Sequence, residues 1–195
     1  AQAAQAAQEA ETAAIEAARA QALAQEKKAK AEADENSDDA IKVIGSLRIG
    51  IPLYNVYLNE SEEWSRRLAT SLQEWSLELH RPLPDTAVAL AHSMAGSSAT
   101  VGFTALSETA RLLEHALNHA QLQPKGLPEQ AAVFIAAAED LRRLVHQFAA
   151  GFLKESHPLV LENLRGILQT DITTTVEPSR NHHDRYTYGD SDNEK

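Results

Sequence analysis

His92 is the residue of this 195-residue chain whose setting points most directly to chemistry. It lies in the stretch LAHSMAGSSATVGF, residues 90–103, which reads as a helix but carries Gly96 four residues after the histidine. A glycine inside a helix costs about 0.5–1 kcal/mol relative to alanine. Residues four apart share a helix face, and a side chain at position 96 would lean back over the imidazole. The spacing therefore suggests that Gly96 keeps His92 accessible to a large partner.

Helical geometry places His92 away from the apolar face of its own helix. At about 100° per residue, Leu90, Met94 and Val101 fall on the opposite side and form the predicted core face. This argues against a buried core histidine. An ordinary surface histidine explains the exposure but not the glycine or the small neighbours. A histidine presented to another protein explains all of them, and the two exposed interpretations remain open on angle alone. The predicted neighbours are Asp85, Val88, Ala89, Ala95, Gly96 and Ala99.

Four helices are predicted to hold this histidine in place. Apolar residues recur at alternating steps of three and four, as in the seam of a helical bundle. The links between the helices are short, which favours antiparallel neighbours, and we therefore expect an all-α, up-down four-helix bundle with an additional C-terminal helix. Asp85 is expected to cap the second helix. A weak strand pattern appears only in IKVIGSLRIGI. The predicted helices are residues 52–79, 86–101, 104–121 and 129–154, followed by a shorter segment at 159–168.

Composition predicts three parts along the chain. Residues 1–39 are rich in alanine and glutamine, with Ile15 and Leu23 nearly the only large apolar residues of the first 33. We expect a helical linker that buries almost nothing, and a chain that is a piece of a larger protein. Residues 40–170 form the predicted domain. The polar, aperiodic residues 171–195 are expected to be a disordered tail.

Charge and residue usage exclude several classes of function. The chain has 18 Lys and Arg against 28 Asp and Glu, a net charge of -10, which argues against nucleic acid as a partner. It has no cysteine, so thiolate catalysis and disulfides are excluded. No apolar run approaches the roughly 18 residues of a membrane span, and we expect a cytoplasmic protein with no membrane partner.

Other polar clusters are weaker candidates. His115 and His119 have the i, i+4 spacing that can hold a metal, but no third ligand is indicated, so solvent-facing histidines are the better interpretation and no metal site is predicted. Ser93, Ser97 and Ser98 are not accompanied by a strained turn or an oxyanion loop, and are interpreted as small residues that let helices approach closely.

The sequence AHSMAGSSATVGFTALSETARLLEHAL, residues 91–117, resembles the histidine phosphotransfer (Hpt) domain of CheA-type chemotaxis histidine kinases. The family pattern combines a phosphorylated histidine, a glycine four residues later, a Gly-Phe pair at the helix turn, and a Leu, Glu-Thr and Glu further on. Residues 44–68 also resemble large chemosensory kinases that join several Hpt domains through Ala/Gln-rich linkers. The matching residues are His92, Gly96, Gly102, Phe103, Leu106, Glu108, Thr109 and Glu114.

The resemblance implies a chemical role for His92 and for Glu114. His92 would accept a phosphoryl group on Nε2 from a kinase catalytic domain and pass it to an aspartate of a response-regulator receiver domain. Glu114 would hydrogen-bond the other ring nitrogen, although without the resemblance a solvated helix-face carboxylate is the simpler interpretation. The family commonly has lysine three residues after the histidine, whereas this chain has Ala95, which bears on transfer rate and kinase choice.

Two functions of different classes follow for the chain. The first is a phosphoryl carrier within a CheA-type kinase, itself not a catalyst and without a cofactor, since no Gly-rich phosphate loop or magnesium site is evident for binding ATP. The second is a structural or docking bundle whose histidine is not phosphorylated. Gly96, the Gly-Phe turn and Glu114 favour the first, and Ala95 leaves room for the second.

Overall fold

The computed structural model describes residues 2–35 and 40–170. Within these ranges the fold is helical, with a small hairpin, and the predicted all-α bundle with an additional C-terminal helix and a helical N-terminal extension is confirmed. None of the described helices is long and apolar enough to cross a membrane. In chain order the elements are α1 Gln2–Glu35, β1 Ile41–Ile44, β2 Leu47–Gly50, α2 Ile51–Ser76, α3 Asp85–Thr100, α4 Thr104–Gln121, α5 Pro128–Ala149 and α6 Pro158–Leu168.

Helices α2 to α5 form the bundle, each packed against two of the others. The predicted seam of α4 is buried along its whole length because its apolar side chains repeat at the bundle period. Aromatic rings fill the centre. Phe103 stacks on Phe148 at 4.8 Å between ring centroids, and Tyr57 meets Phe148 edge-on at 5.3 Å. Offset and edge-on aromatic pairs of this kind add to the stability that burial provides.

The turn between α3 and α4 sets the alignment of these two helices. Gly102 has φ of +81°, a conformation that suits glycine. The amide of Phe103 donates to the carbonyl of Ser98 at 2.9 Å, and the amide of Gly102 donates to that of Ala99 at 3.1 Å. This hydrogen-bond pair is a Schellman motif, which satisfies the last carbonyls of α3 and directs Phe103 into the core.

Three predicted helix ends are wrong. The first bundle helix ends at Ser76 rather than 79, because the backbone hydrogen bonds that follow are of the tighter i, i+3 kind. The fourth bundle helix ends at Ala149 rather than 154, because Gly151 adopts φ of +93° and closes a second Schellman turn. Phe152, which lies within the predicted helix, is 59% exposed as a result. Asp85 is not a cap: it is the first residue of α3, and its carboxylate accepts a hydrogen bond from the Gln121 side chain at 2.7 Å.

The segment before α2 forms a β-hairpin, in agreement with its weak strand pattern. Strands β1 and β2 pair antiparallel, with Ile44 opposite Leu47. Gly45 supplies the positive φ of the tight turn. Ile44 and Ile49 are buried, so the hairpin closes one end of the bundle core.

Helix α1 packs against α2 and α3. The expectation that the N-terminal segment buries almost nothing is therefore wrong. Ile15 is 1% exposed, and Ala22 and Ala29 are buried at seven-residue intervals after it. Small side chains at this spacing let two helix backbones approach closely. A search for large apolar residues at helical spacing does not detect such a face.

Helix α6 covers α4 and α5 on the opposite side of the bundle. The predicted tail, residues 171–195, lies outside the described residues. The boundaries at residues 39 and 170 remain predictions.

Candidate functional site

His92 lies on the outer surface of α3 and contacts Glu114 of α4. Its Nδ1 atom is 2.8 Å from Oε1 and 2.9 Å from Oε2 of that carboxylate. The His92 side chain is 48% exposed, whereas that of Glu114 is 16% exposed. The histidine is thus accessible from solvent on a fixed support, while its partner is largely covered.

Antiparallel packing of α3 and α4 brings the two residues together. Besides the Schellman turn, the Ser107 hydroxyl in the first turn of α4 donates to the backbone carbonyl of Ala95 in α3 at 2.8 Å and ties the two helices together. Ala95 is 2% exposed. The residue that departs from the family pattern is therefore buried against α4 rather than placed in the open surround of His92.

The hydrogen bond defines the chemistry available to the imidazole. An ionised carboxylate can only accept, so Nδ1 carries the proton in the neutral ring. Nε2 then holds the lone pair and is the nucleophilic atom. A carboxylate on Nδ1–H also stabilises the positive charge that the ring gains when Nε2 forms a new bond. The arrangement suits attack by Nε2 on an electrophile delivered from solvent.

Gly96 lies one turn beyond His92 and is half-buried. A Cβ atom built at this position would lie 3.8 Å from Nη2 of Arg19, which belongs to α1. The space that a side chain at position 96 would occupy is therefore bordered by Arg19. The predicted role of Gly96 in access remains a prediction, and the neighbouring guanidinium adds a feature that the sequence does not predict.

The serines of α3 do more than permit close packing. Ser97 donates to the carboxylate of Glu26 in α1 at 2.8 Å, and the Ser98 hydroxyl is 2.8 Å from that of Tyr57. Glu26 is 3% exposed, and this burial raises its pKa. Burial likewise raises the pKa of Tyr57 to about 12. The sequence analysis does not predict a role for Glu26. Its spacing of seven residues from Arg19 is the signal that could have placed both residues on one face of α1.

The other histidines lie apart from this site. Nε2 of His119 donates to the carbonyl of Thr170 at 2.8 Å, so this side chain ties α4 to the end of α6. His115 is exposed beside the same two helices. In the described parts of the chain, no group of three or more His, Cys, Asp or Glu side chains is arranged to hold a metal ion.

Comparison with known families assigns the bundle. A family model described as the Hpt domain matches residues 52–151, which is more than half of the chain and spans α2 to α5. A search of curated proteins found no match. The matched region contains His92, Gly96 and Glu114, and leaves α1, the hairpin and α6 outside. The chain therefore belongs to the Hpt domain family, whose members carry phosphoryl groups on a histidine in phosphorelay signalling.

Proposed function

We propose that His92 is the phosphoacceptor of this Hpt domain. It receives a phosphoryl group on Nε2 from the catalytic domain of a CheA-type histidine kinase and passes it to an aspartate of a receiver domain. The observation that carries the proposal is the His92–Glu114 pair, in which a half-exposed imidazole has Nδ1 held by a largely covered carboxylate. This is the combination of access and tautomer control that a nucleophilic histidine needs.

The chemical step is a phosphoryl transfer in each direction. In the first, the Nε2 lone pair attacks the γ-phosphorus of ATP, the bond to the bridging oxygen breaks and ADP leaves. Nδ1 keeps its proton, and the ring's new positive charge is offset by Glu114. In the second, an aspartate oxygen of the receiver attacks phosphorus, the N–P bond breaks and Nε2 regains its lone pair. The partners supply the nucleotide, the metal ion and the accepting carboxylate.

Gly96 contributes to this function through access. It leaves the turn after His92 without a Cβ, so a partner's active site meets backbone rather than a side chain beside the imidazole. The kinase assignment is supported by the sequence resemblance of residues 91–117 and of residues 44–68 to CheA-type and chemosensory kinases. We place the phosphotransfer domain at residues 40–170, with α1 docked on it.

The test is phosphorylation by a CheA-type kinase core with labelled ATP, followed by acid treatment of the labelled protein. We expect acid-labile label on the parent chain and none on His92→Gln. His115→Gln is the matched control, since His115 is an exposed histidine on the neighbouring helix. Acid-labile label that persists on His92→Gln would overturn the assignment. A parent chain that takes no label, with this kinase and with a small chemical phosphodonor, would favour the docking bundle.

A further inference from the structure

Arg19 occupies an unusual place for a charged residue. Residues 12, 15, 19, 22, 26 and 29 follow one another at alternating steps of three and four, which makes them the inner stripe of α1. Ile15 and Ala22, on either side of Arg19 in this stripe, are buried. Arg19 is half-buried, and among the described residues it makes no hydrogen bond or ion pair. Glu26 lines the same small cavity as Arg19, but its carboxylate forms no ion pair with this guanidinium, which therefore lacks the anionic partner that its chemistry favours.

The guanidinium lies close to His92 along α3. Its Nη2 atom is 3.8 Å from the position of a Cβ on Gly96, and it shares a small cavity with Ser93 and Gly96. Gly96 and His92 are four residues apart on one helix face, where Cβ atoms lie about 5–6 Å apart, so this cation lies about one turn along α3 from His92. The several rotatable bonds of an arginine side chain allow the guanidinium to move toward a group attached to the imidazole.

Helix α1 runs parallel to α3. The start of α3 lies beside residues 5–16 of α1, and Ser97 lies beside Glu26. The Arg19 side chain approaches α3 from the α1 side, and its Nη2 atom lies at Gly96, on the helix face that also carries His92. Glu114 approaches from the other side, because it belongs to α4.

We propose that Arg19 binds the phosphoryl group once it is attached to Nε2 of His92, an inference that rests on the proposed function. A guanidinium offers two parallel N–H donors to two phosphoryl oxygens. In this arrangement Glu114 holds the imidazole through Nδ1, and Arg19 neutralises the phosphoryl oxygens. Gly96 then has a second purpose, because a side chain at that position would stand between the guanidinium and the phosphoryl group.

Another cation nearby is a less suitable candidate. Helix α3 contains no lysine or arginine. Arg111 precedes Glu114 by one turn on α4, but it lines a groove toward α6 together with His115 and Arg165. Its substitution is therefore a necessary comparison in any test of Arg19.

The experiment uses phosphoramidate, which needs no kinase. Its P–N bond breaks and ammonia leaves as the Nε2–P bond forms. We expect Arg19→Gln to slow labelling of His92 about three- to tenfold, the effect of losing a partly exposed charge-assisted hydrogen bond. Arg19→Lys should retain part of the rate. Lys27→Gln is the matched control, because it removes the same charge from an exposed position of the same helix, two turns further on.

A second measurement separates charge from structure. The phosphorus resonance of the labelled protein, followed against pH, gives the pKa of the phosphoryl group. Arg19→Gln should raise this pKa, because a nearby cation favours the dianion. Circular dichroism checks that α1 remains helical, and Arg19→Lys reports on the charge if Arg19→Gln loosens the helix.

The outcomes distinguish the two proposals. Labelling of His92→Gln at the parent rate overturns the proposed function and the inference with it. Labelling confined to His92, with parental rate and phosphoryl pKa in Arg19→Gln, overturns the inference alone. So does an effect of Arg111→Gln that exceeds that of Arg19→Gln.

Discussion

The two flanks of α3 are built in different ways. On the α4 side, fully buried large side chains and a Schellman turn fix one helix against the other, and Glu114 reaches His92 from this rigid support. On the α1 side, small alanines alternate with Arg19 and Glu26, and a single hydrogen bond joins Glu26 to Ser97. The packing on the α4 side therefore holds Glu114 in a fixed position relative to His92. The α1 flank is held by fewer and more polar contacts, and we expect its packing to depend on the charge of these residues.

The comparison predicts the largest effect for a core aromatic on the α4 side. Phe103→Ala should lower the free energy of unfolding by about 3–5 kcal/mol, because it removes a fully buried ring that stacks on Phe148. Thermal and urea unfolding measure this. Leu122→Ala, at an exposed position beyond the same helix, is the control and should change little. A loss under about 1 kcal/mol for Phe103→Ala would contradict the view that this flank is rigidly packed.

Glu114→Ala should have the next largest effect, and on rate rather than stability. Loss of a hydrogen bond to a charged group is worth about 1.5–3 kcal/mol, which predicts phosphorylation of His92 slower by roughly ten- to a hundredfold. Binding of the kinase should stay nearly unchanged, since the Glu114 side chain is largely covered. Initial rates and equilibrium binding are the two measurements, with Glu139→Ala, at an exposed position of α5, as control. Equal rates for Glu114→Ala and the parent would return Glu114 to the role of a helix-face charge.

The α4 flank could be predicted from the sequence, and the α1 flank could not. Leu106, Leu113 and Leu117 indicate a seam because large apolar side chains at helical spacing are typical of a buried helix face. The Gly-Phe turn follows from glycine's access to positive φ. In α1 the same periodicity is carried by alanines and two charged residues, and alanine occurs equally on exposed helix faces. Only the packed structure distinguishes a seam of this kind from a solvated linker.

The functional site, like the fold, could be predicted from the sequence only in part. The outward angle of His92 follows from helical geometry, and its partner on α4 is suggested by the family resemblance. The Nδ1 contact itself depends on the relative rotation of two helices, which the sequence does not encode locally. Arg19 could not be predicted because the composition of α1 is that of a linker, and a linker residue has no fixed neighbours.

A smaller effect is expected for Gly96→Ala, which tests both flanks together. A Cβ here makes ordinary contact with Arg19 at 3.8 Å, so alanine fits and should stabilise the fold by about 0.5–1 kcal/mol. Gly96→Gln should preserve helicity but slow phosphotransfer, because a long side chain enters the space beside His92. Unfolding midpoints and labelling rates of the two variants are the measurements. Parental transfer by Gly96→Gln would remove the argument for access.

Substitution of Glu26 should have the smallest effect on the stability of the whole molecule. It is also the most direct test of how α1 is held against α3. Burial raises its pKa above the ordinary 4.5, and the nearby Glu60 of α2 acts in the same direction, while the hydrogen bond from Ser97 opposes the shift. A carboxyl group with a raised pKa in the docked state favours docking fully below pH 4.5. That contribution is lost as the pH rises through the raised value, since the docked helix must then hold a buried negative charge.

Protection of α1 amides from hydrogen exchange, corrected for intrinsic rates, should therefore fall from about pH 4.5 upward in the parent chain. Glu26→Gln keeps a neutral hydrogen-bonding group and should remove this dependence, whereas Glu16→Gln, at an exposed position of the same helix, should retain it. Protection of α1 that is independent of pH in the parent chain would mean that the buried carboxyl does not control how α1 is held.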